Sequence, residues 1–445
     1  MKKAALVFAI LTVVMAILVS TSFKFKIAEA ADVESPDYSI EHVNHEIDVL
    51  YNGYVLINDT IRISYVTGQA PNDFLIGFPY MYGSHILRCL AYNESDVFPM
   101  SLNVPLENRV GFYGAKINFP HGTPEVFTVV FVLSNDLIIH NATNYYNLDF
   151  PAFPSLTKSV TICNASIVLP EGALYFGGTV SALNYSEENL PAFTYNASQV
   201  TVSLADDKIQ VLDVEELESE IRLNEFAEIE GSDTYRIKNK AQMEVTFIEI
   251  MLPLKASNPT AEDQFGRKMA EPTQTDEKTS RYKIAFTLPL KTNESTRFTV
   301  KYHLPKIYIT QERDNKFTLN ISLFQHVNYY IEQASVTFVL PEGARILNFE
   351  STLIGDTYNL ARNVFQEVVT INRQGIISLE SFNVGLLYEY NPLWSSFRPT
   401  LWIWALSIVG CLITFFWKRP KVPARVAVPT AVVGLRPENI KSFVD

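Results

Sequence analysis

The sequence predicts an all-β protein made of two tandem β-sandwich units, followed by one C-terminal transmembrane helix. Three observations support this fold class: short runs rich in β-branched and aromatic residues, a motif that recurs at a fixed spacing, and an uncharged apolar run near the C-terminal end. Of the 445 residues, 47% are hydrophobic and 19% are charged, which excludes an intrinsically disordered chain.

The N-terminal residues predict a secretory signal peptide over 1–30. Lys2 and Lys3 precede an uncharged run at 4–22, and the sequence AEA at 28–30 fits a cleavage site. An uncleaved signal anchor is the alternative, because a run of this length almost spans a bilayer. With either interpretation, the bulk of the chain is translocated across a membrane.

A tandem duplication divides the translocated part into two units, at 32–205 and 206–390. The string VLPEGA begins at Val168 and again at Val339, an offset of 171 residues. Phe127 with Phe298 and Leu148 with Leu319 share this offset, and with small shifts residues 55–58 resemble 221–224 and residues 76–79 resemble 250–253. One constant offset over several strand-like segments indicates that one fold is used twice.

Each unit is predicted to consist of short strands. The segment FTVVFVL at 127–133 is typical of a strand, and the Pro-Glu-Gly sequences at 170–172 and 341–343 are typical of turns. Two segments depart from this pattern. Residues 214–223 could form a short helix, and the polar segment at 256–280 is predicted to be a long loop, either disordered or partner-binding.

The second apolar run predicts a transmembrane helix at 399–417. Residues 401–417 carry no charge, and a buried core helix is the alternative. Tryptophans in the run fit the two membrane interfaces, and the basic residues after it fit the cytosolic side. The predicted membrane-anchoring residues are Trp402, Trp404, Trp417, Lys418 and Arg419. The predicted topology is type I, with a short basic cytosolic tail at 418–445.

Glycosylation sequons support a translocated chain. The candidate acceptors are Asn58, Asn93, Asn141, Asn164, Asn184, Asn196, Asn293 and Asn320, all between the two apolar runs. In an oxidising compartment Cys89 and Cys163 are a candidate disulfide, and the alternative is two small buried apolar residues.

Recognisable catalytic and nucleic-acid-binding features are missing from the sequence. The segment Glu41–His42–x–x–His45–Glu46 is a weak metal-site candidate, because in a strand His42 and His45 would point to opposite faces. The sequence holds no H-E-x-x-H, G-x-S-x-G or phosphate-loop motif. The net charge of −12 disfavours nucleic acid as a partner. We therefore expect a protein that is not an enzyme and has no cofactor.

Several segments resemble the ribophorin I family. They are SVTFVLPEGA at 335–344, LLYEYN at 386–391, QVLDVEELESEIRLNEFAE at 210–228 and RFTVKYHLP at 297–305. The resemblance is strongest over residues 206–417. The tail at 418–445 is shorter than the cytosolic part of the eukaryotic family members, which suggests a short archaeal-type relative.

The resemblance implies a non-catalytic, accessory subunit of a membrane oligosaccharyltransferase complex for protein N-glycosylation. The implied partners are the catalytic subunit, the other subunits, the translocon and membrane lipid. The implied location is the endoplasmic reticulum membrane in a eukaryote or the cell membrane in an archaeon. A surface adhesion or receptor-like protein with a duplicated β-sandwich is the alternative from the class of binding proteins.

Overall fold

The computed structural model describes residues 37–67, 70–142, 144–205, 208–324, 327–351, 357–363, 365–377, 382–391 and 399–417. The predicted signal peptide at 1–30 and the predicted tail at 418–445, with Lys418 and Arg419, lie outside the described residues. The described chain is mostly β-structure, as predicted, and its α-helix, α1, comprises Pro399–Trp417.

The first unit holds fifteen strands among its described residues. They are β1 (Asp37–Val49), β2 (Val55–Thr67), β3 (Asp73–Pro79), β4 (Ile86–Tyr92), β5 (Val97–Phe98), β6 (Met100–Leu106), β7 (Arg109–Asn118), β8 (Val126–Leu133), β9 (Ile138–Ala142), β10 (Tyr145–Pro151), β11 (Ser155–Leu156), β12 (Val160–Val168), β13 (Leu174–Gly178), β14 (Asn184–Leu190) and β15 (Ala197–Ser203). Buried and exposed side chains alternate along many of them, as in a sheet with one covered face.

The second unit holds fourteen strands among its described residues. They are β16 (Leu212–Leu223), β17 (Ile229–Asn239), β18 (Val245–Met251), β19 (Ser257–Asp263), β20 (Thr273–Asp276), β21 (Arg281–Leu290), β22 (Ser295–Leu304), β23 (Ile309–Gln311), β24 (Lys316–Leu323), β25 (Ile331–Val339), β26 (Arg345–Ser351), β27 (Thr357–Asn363), β28 (Gln366–Ile376) and β29 (Phe382–Glu389).

Both units have the same strand order. The large sheet runs β14-β12-β1-β2-β8-β4-β5 in the first unit and β27-β28-β25-β16-β17-β22-β19 in the second. Six positions correspond once the edge strands β5 and β27 are set aside, and the pairs β1·β12 and β16·β25 are both parallel. The small sheets correspond too, β13-β15-β10-β9 to β26-β29-β24-β23 and, once the short edge strand β11 beside β3 is set aside, β3-β7-β6 to β18-β21-β20. This shared order confirms the duplication.

The cross-strand pairs refine the offset of the repeat. Thr60 contacts Thr128 through their hydroxyl groups at 3.0 Å, and Thr234 contacts Thr299 in the same way at 2.9 Å. The offset is therefore 174 residues from Thr60 to Thr234, and 171 residues from Thr128 to Thr299. The predicted match of residues 55–58 to 221–224 is therefore wrong, because 55–58 belong to β2 and align with the start of β17.

Two predicted exceptions turn out to be strands. Residues 214–223 lie in β16, at the centre of the large sheet between β17 and β25, so the expected short helix is wrong. Pairing on both edges and alternating burial stabilise the strand there, whatever its helical propensity. The polar segment 256–280 is not a simple loop either, because it contains β19, paired with β22, and β20, paired with β21.

The apolar core forms separately in each unit. In the first unit the large sheet packs against a small one, with the rings of Phe78 and Phe131 edge to face at 4.8 Å. The second unit is similar, with Phe286 against Phe298 at 5.7 Å. A third, smaller cluster lies where the units meet. Its buried members are Leu50, Tyr54, Leu56, Val130, Val132, Tyr330 and Ile377.

Candidate functional sites

The turn at residues 50–54, between β1 and β2, joins the two units. Its tip residue Asn52 is fully buried, and Asn52 Nδ2 donates to the carbonyl oxygen of Tyr330 at 3.0 Å. The N–H of Tyr330 donates to Asn52 Oδ1 at 3.2 Å. Buried backbone groups left without a partner cost about 1–3 kcal/mol each. This reciprocal pair therefore holds the second unit in place on the first.

Tyr54 brings two carboxyl groups to the same junction. Its hydroxyl group donates to Asp213 Oδ1 at 2.9 Å and to Glu332 Oε1 at 3.3 Å, and Asn135 Nδ2 donates to Asp213 Oδ1 at 3.0 Å. Burial raises the pKa of the Tyr54 hydroxyl, which keeps it protonated as a donor. Burial, and then the charge of Asp213, raise the pKa of Glu332. The junction therefore contains acids that are engaged with donors.

Charged contacts at the rim add to these buried ones. Lys240 Nζ lies 2.6 Å from Asp136 Oδ1, and the Arg88 guanidinium donates to the carbonyl oxygen of Gly375. Exposed ion pairs contribute about 0–1 kcal/mol. The buried hydrogen bonds and the apolar cluster at the junction therefore determine how firmly the units are joined.

A cleft of about 470 Å³ opens beside the junction. Its charged lining residues are Asp48, Glu171, Lys208, Glu249 and Arg281. Arg281 Nη1 lies 3.7 Å from Glu249 Oε2, while burial, and then the charge of Glu46, raise the pKa of Asp48 to about 6. Among the described residues no three side chains converge as metal ligands. The cleft offers mixed charges, with no arrangement typical of catalysis.

The two histidines of the weak metal-site candidate, His42 and His45, lie on opposite faces of β1, as predicted. His45 is fully buried, with Nδ1 2.6 Å from Asp59 Oδ1 and Nε2 3.0 Å from the carbonyl oxygen of Pro151. His42 lies on the outer face, where its Nε2 is 2.9 Å from Asn164 Nδ2. The two imidazoles therefore point to opposite faces and do not share a ligand.

The equivalent of the buried His45–Asp59 pair in the second unit is Ser219 with Asp233. The Ser219 hydroxyl donates to Asp233 Oδ1 at 2.5 Å, and both residues are buried. Burial raises the pKa of Asp233 to about 6, opposed by hydrogen bonds from Ser219 and Tyr302. Because solvent does not reach either pair, we assign them to the structure of the core.

The sequons lie on the surface to different degrees. The exposed asparagines are Asn141, Asn164, Asn184, Asn293 and Asn320, and the half-buried ones are Asn58, Asn93 and Asn196. Asn93 Oδ1 accepts hydrogen bonds from the N–H groups of Ser95 and Asp96 at 2.9 and 2.7 Å, so its side chain already caps a turn. Which acceptors carry glycans stays a prediction.

The structure contradicts the candidate disulfide. Cys89 on β4 and Cys163 on β12 are free thiols. Their strands are four steps apart in the large sheet, which corresponds to roughly 19 Å, whereas bridged cysteines have Cα atoms within about 7 Å. The alternative interpretation, two small apolar residues, fits both sites, because burial raises the pKa of each thiol.

Helix α1 carries the predicted anchoring tryptophans. Trp402, Trp404 and Trp417 are exposed, like the other large apolar side chains of the helix. Over the residues that the structure describes, no helix is both long and apolar enough to cross a membrane. The transmembrane helix therefore stays a prediction. Trp402 lines a cavity of about 630 Å³ together with Arg345 and Glu389 of the second unit.

The junction residues Asn52, Tyr54 and Asn135 were not among the predicted functional residues. Their side chains act across 159 or more residues of sequence in several contacts, such as Asn52 to Tyr330. A single sequence gives no signal for such pairs. The one available hint was the aromatic and polar turn YNGY at 51–54, where the second unit has a charged turn.

Part of the chain matches the model of one protein family. Residues 222–418 match the family model of Ribophorin I. No relative among the curated proteins matches the chain.

Similarity to solved structures is slight. The M1 zinc metallopeptidase from Deinococcus radiodurans is 14% identical, with a TM-score of 0.26 over 40% of this chain and 42% of that chain. Yeast LTA4 hydrolase in complex with bestatin is 12% identical, with a TM-score of 0.24 over 41% and 29%. The chain spans less than half the length of either structure, and scores this low carry no argument. The family match stands apart from them, because residues 222–418 match the ribophorin I model and thereby support the resemblance that the motifs indicated.

Proposed function

We propose that the chain is a non-catalytic subunit of a membrane oligosaccharyltransferase complex that N-glycosylates proteins. The observation that carries this proposal is the ribophorin I match, which extends from the end of β16 through α1. The family suggests association with such a complex. The accessory role, the catalytic and translocon partners and the membrane location are the finer parts of the proposal.

The arrangement of the two units is consistent with a scaffold. Buried hydrogen bonds between Asn52 and Tyr330 join the units, so that a partner bound to one unit is held at a defined distance from the other. The buried acids of each core are engaged with neighbouring donors. We propose that both units are β-sandwiches and act through their surfaces, while the chemistry belongs to another subunit.

The membrane location is proposed from α1 and the segments that flank the described chain. The side chains of α1 that the structure describes are largely apolar and exposed, which suits burial in lipid or against another helix. The basic tail at 418–445 favours the cytosolic side. We propose type I attachment, in the endoplasmic reticulum membrane of a eukaryote or the cell membrane of an archaeon.

Affinity purification of the full chain from mild detergent tests the proposal. We expect the catalytic oligosaccharyltransferase subunit to co-purify. A matched variant in which residues 401–417 are replaced by poly-Leu tests whether α1 docks specifically, and unchanged assembly would show that the helix serves only as an anchor. Recovery of the wild-type chain without a transferase or translocon component would refute the subunit role and favour an adhesion protein.

The non-catalytic role needs a separate assay. We expect the purified chain alone to transfer no glycan from a lipid-linked donor to a peptide that contains a sequon. The complex that contains the chain should transfer it. Transfer by the chain alone would contradict the proposal.

A further inference from the structure

The same turn occurs once in each unit. At residues 50–54 the N–H of Leu50 donates to the carbonyl oxygen of Tyr54, and the N–H of Gly53 to that of Leu50, at 2.8 and 2.9 Å. Residues 224–228 repeat both bonds at 3.1 and 3.2 Å. Gly53 and its equivalent, Ala227, both have positive φ, +81° and +57°. The two turns are therefore equivalent positions of the duplicated fold.

The surroundings of the two turns differ. At the tip, Asn52 is fully buried against the second unit, whereas its equivalent Phe226 is 62% exposed. In the neighbouring loop, Asn135 at 134–137 is buried in the junction, whereas its equivalent Lys306 at 305–308 is exposed. Ile307, beside Lys306, is 63% exposed. The end that the first unit covers with a partner is thus uncovered in the second unit, and two large apolar side chains stand there.

This end of each unit is also where the chain leaves it. In the first unit the outgoing segment contacts the turn, because the N–H of Gln210 donates to the carbonyl oxygen of Tyr51 at 2.8 Å. In the second unit the outgoing strand β29 ends at Glu389, which together with Gly343 and Trp402 lines the cavity beneath α1. The exposed turn and loop therefore lie at the end of the second unit from which α1 departs. We call residues 224–228 and 305–308 the exit end.

We propose that the exit end rests on the lipid headgroups of the membrane, with Phe226 and Ile307 inserted among them. This inference rests on the proposed membrane attachment of α1. Lys306 directly precedes Ile307 in the sequence, and its Nζ donates to the carbonyl oxygen of Phe226 at 3.0 Å. An aromatic ring, an aliphatic side chain and an ammonium group side by side match the chemistry of the bilayer interface.

A lipid surface explains the difference between the equivalent turns better than solvent does. The tip in the first unit is polar and buried against protein through directed hydrogen bonds. At the exit end Phe226 and Ile307 offer no polar group for such bonds, yet they replace Asn52 and Asp136. A fluid apolar and polar boundary accepts side chains of this kind without fixed partners.

Depth-resolved fluorescence quenching tests the inference on the full chain. The background carries Cys89→Ala and Cys411→Ser and retains the buried Cys163. Single cysteines replace Phe226 or Ile307 and carry an environment-sensitive dye. Two matched references are Val110→Cys, at a position 95% exposed on β7, and Ile408→Cys, within α1. The protein is reconstituted in phosphatidylcholine–phosphatidylglycerol vesicles with nitroxide-labelled lipids.

We expect headgroup nitroxides to quench the dyes at positions 226 and 307 at least twofold more than the dye at position 110. Quenching at 408 by acyl-chain nitroxides, with 226 and 307 no different from 110, would overturn the inference and leave the membrane attachment intact. Absence of quenching at 408 as well as at 226 and 307 would overturn both.

Discussion

The hydrogen bonds of Asn52 make the junction between the units directly testable. Asn52→Ala removes the hydrogen bonds that its side chain makes to the buried N–H and the buried carbonyl group of Tyr330. At about 1–3 kcal/mol for each group, we expect a loss of about 2–6 kcal/mol at the junction. Against a typical total of about 5–15 kcal/mol for a domain, this is large enough to separate the units locally.

Hydrogen exchange followed by mass spectrometry measures this loss where it arises, without requiring two-state unfolding. Since each 1.4 kcal/mol is tenfold, exchange of peptides covering 50–54 and 327–332 should become about 30- to 20,000-fold faster. The matched control is Asn44→Ala, because Asn44 is exposed on β1 and should change exchange little. An effect of Asn52→Ala below threefold, or one equal to that of the control, would refute the reasoning.

Three further predictions concern the cores. Burial raises the pKa of Asp233 to about 6, so the folded state holds this proton more tightly than the unfolded state does. The free energy of unfolding should therefore fall by on the order of 2–3 kcal/mol as pH rises from about 4 to about 6. In Asp233→Asn the urea midpoint should no longer depend on pH over that range. Reductant should leave the melting temperature unchanged, and Cys89 and Cys163 should become fully reactive to a thiol reagent only in denaturant. A melting temperature that falls when reductant is added would instead support a Cys89–Cys163 disulfide. Phe131→Ala should cost about 3–5 kcal/mol in urea unfolding, whereas Phe176→Ala, at an exposed position, should cost under about 0.5 kcal/mol, and equal losses would contradict the assigned core.

The duplication could be predicted because equivalent strands of the two units end in the same turn sequence. The VLPEGA strings at Val168 and Val339 combine an apolar strand end with Pro and Gly, and both features can be recognised in the sequence without a structure. Residues 55–58 and 221–224 were mismatched because apolar alternation alone does not define register. Only the cross-strand pairing showed that residue 224 lies in a turn.

Predictions from local propensity were also wrong for two segments that pair with strands distant in the sequence. Residues 214–223 contain several glutamates and leucines that suit a helix, yet β16 is paired along both edges. The polar segment 256–280 has few apolar anchors, yet β19 is held at the edge of the large sheet by β22. In each case the partner strand lies elsewhere in the sequence, so the segment alone does not contain the information.

The β-rich fold class, the repeat, the ribophorin I resemblance and the divergence of His42 from His45 could all be read from the chain, because they depend on local patterns and on the period of a strand. The tertiary structure alone decided that Cys89 and Cys163 are too far apart to bridge. It also decided that Asn52 is buried while its equivalent Phe226 is exposed. Burial at a junction depends on which surfaces meet, and two copies of one fold joined head to tail necessarily cover one turn and leave the other uncovered.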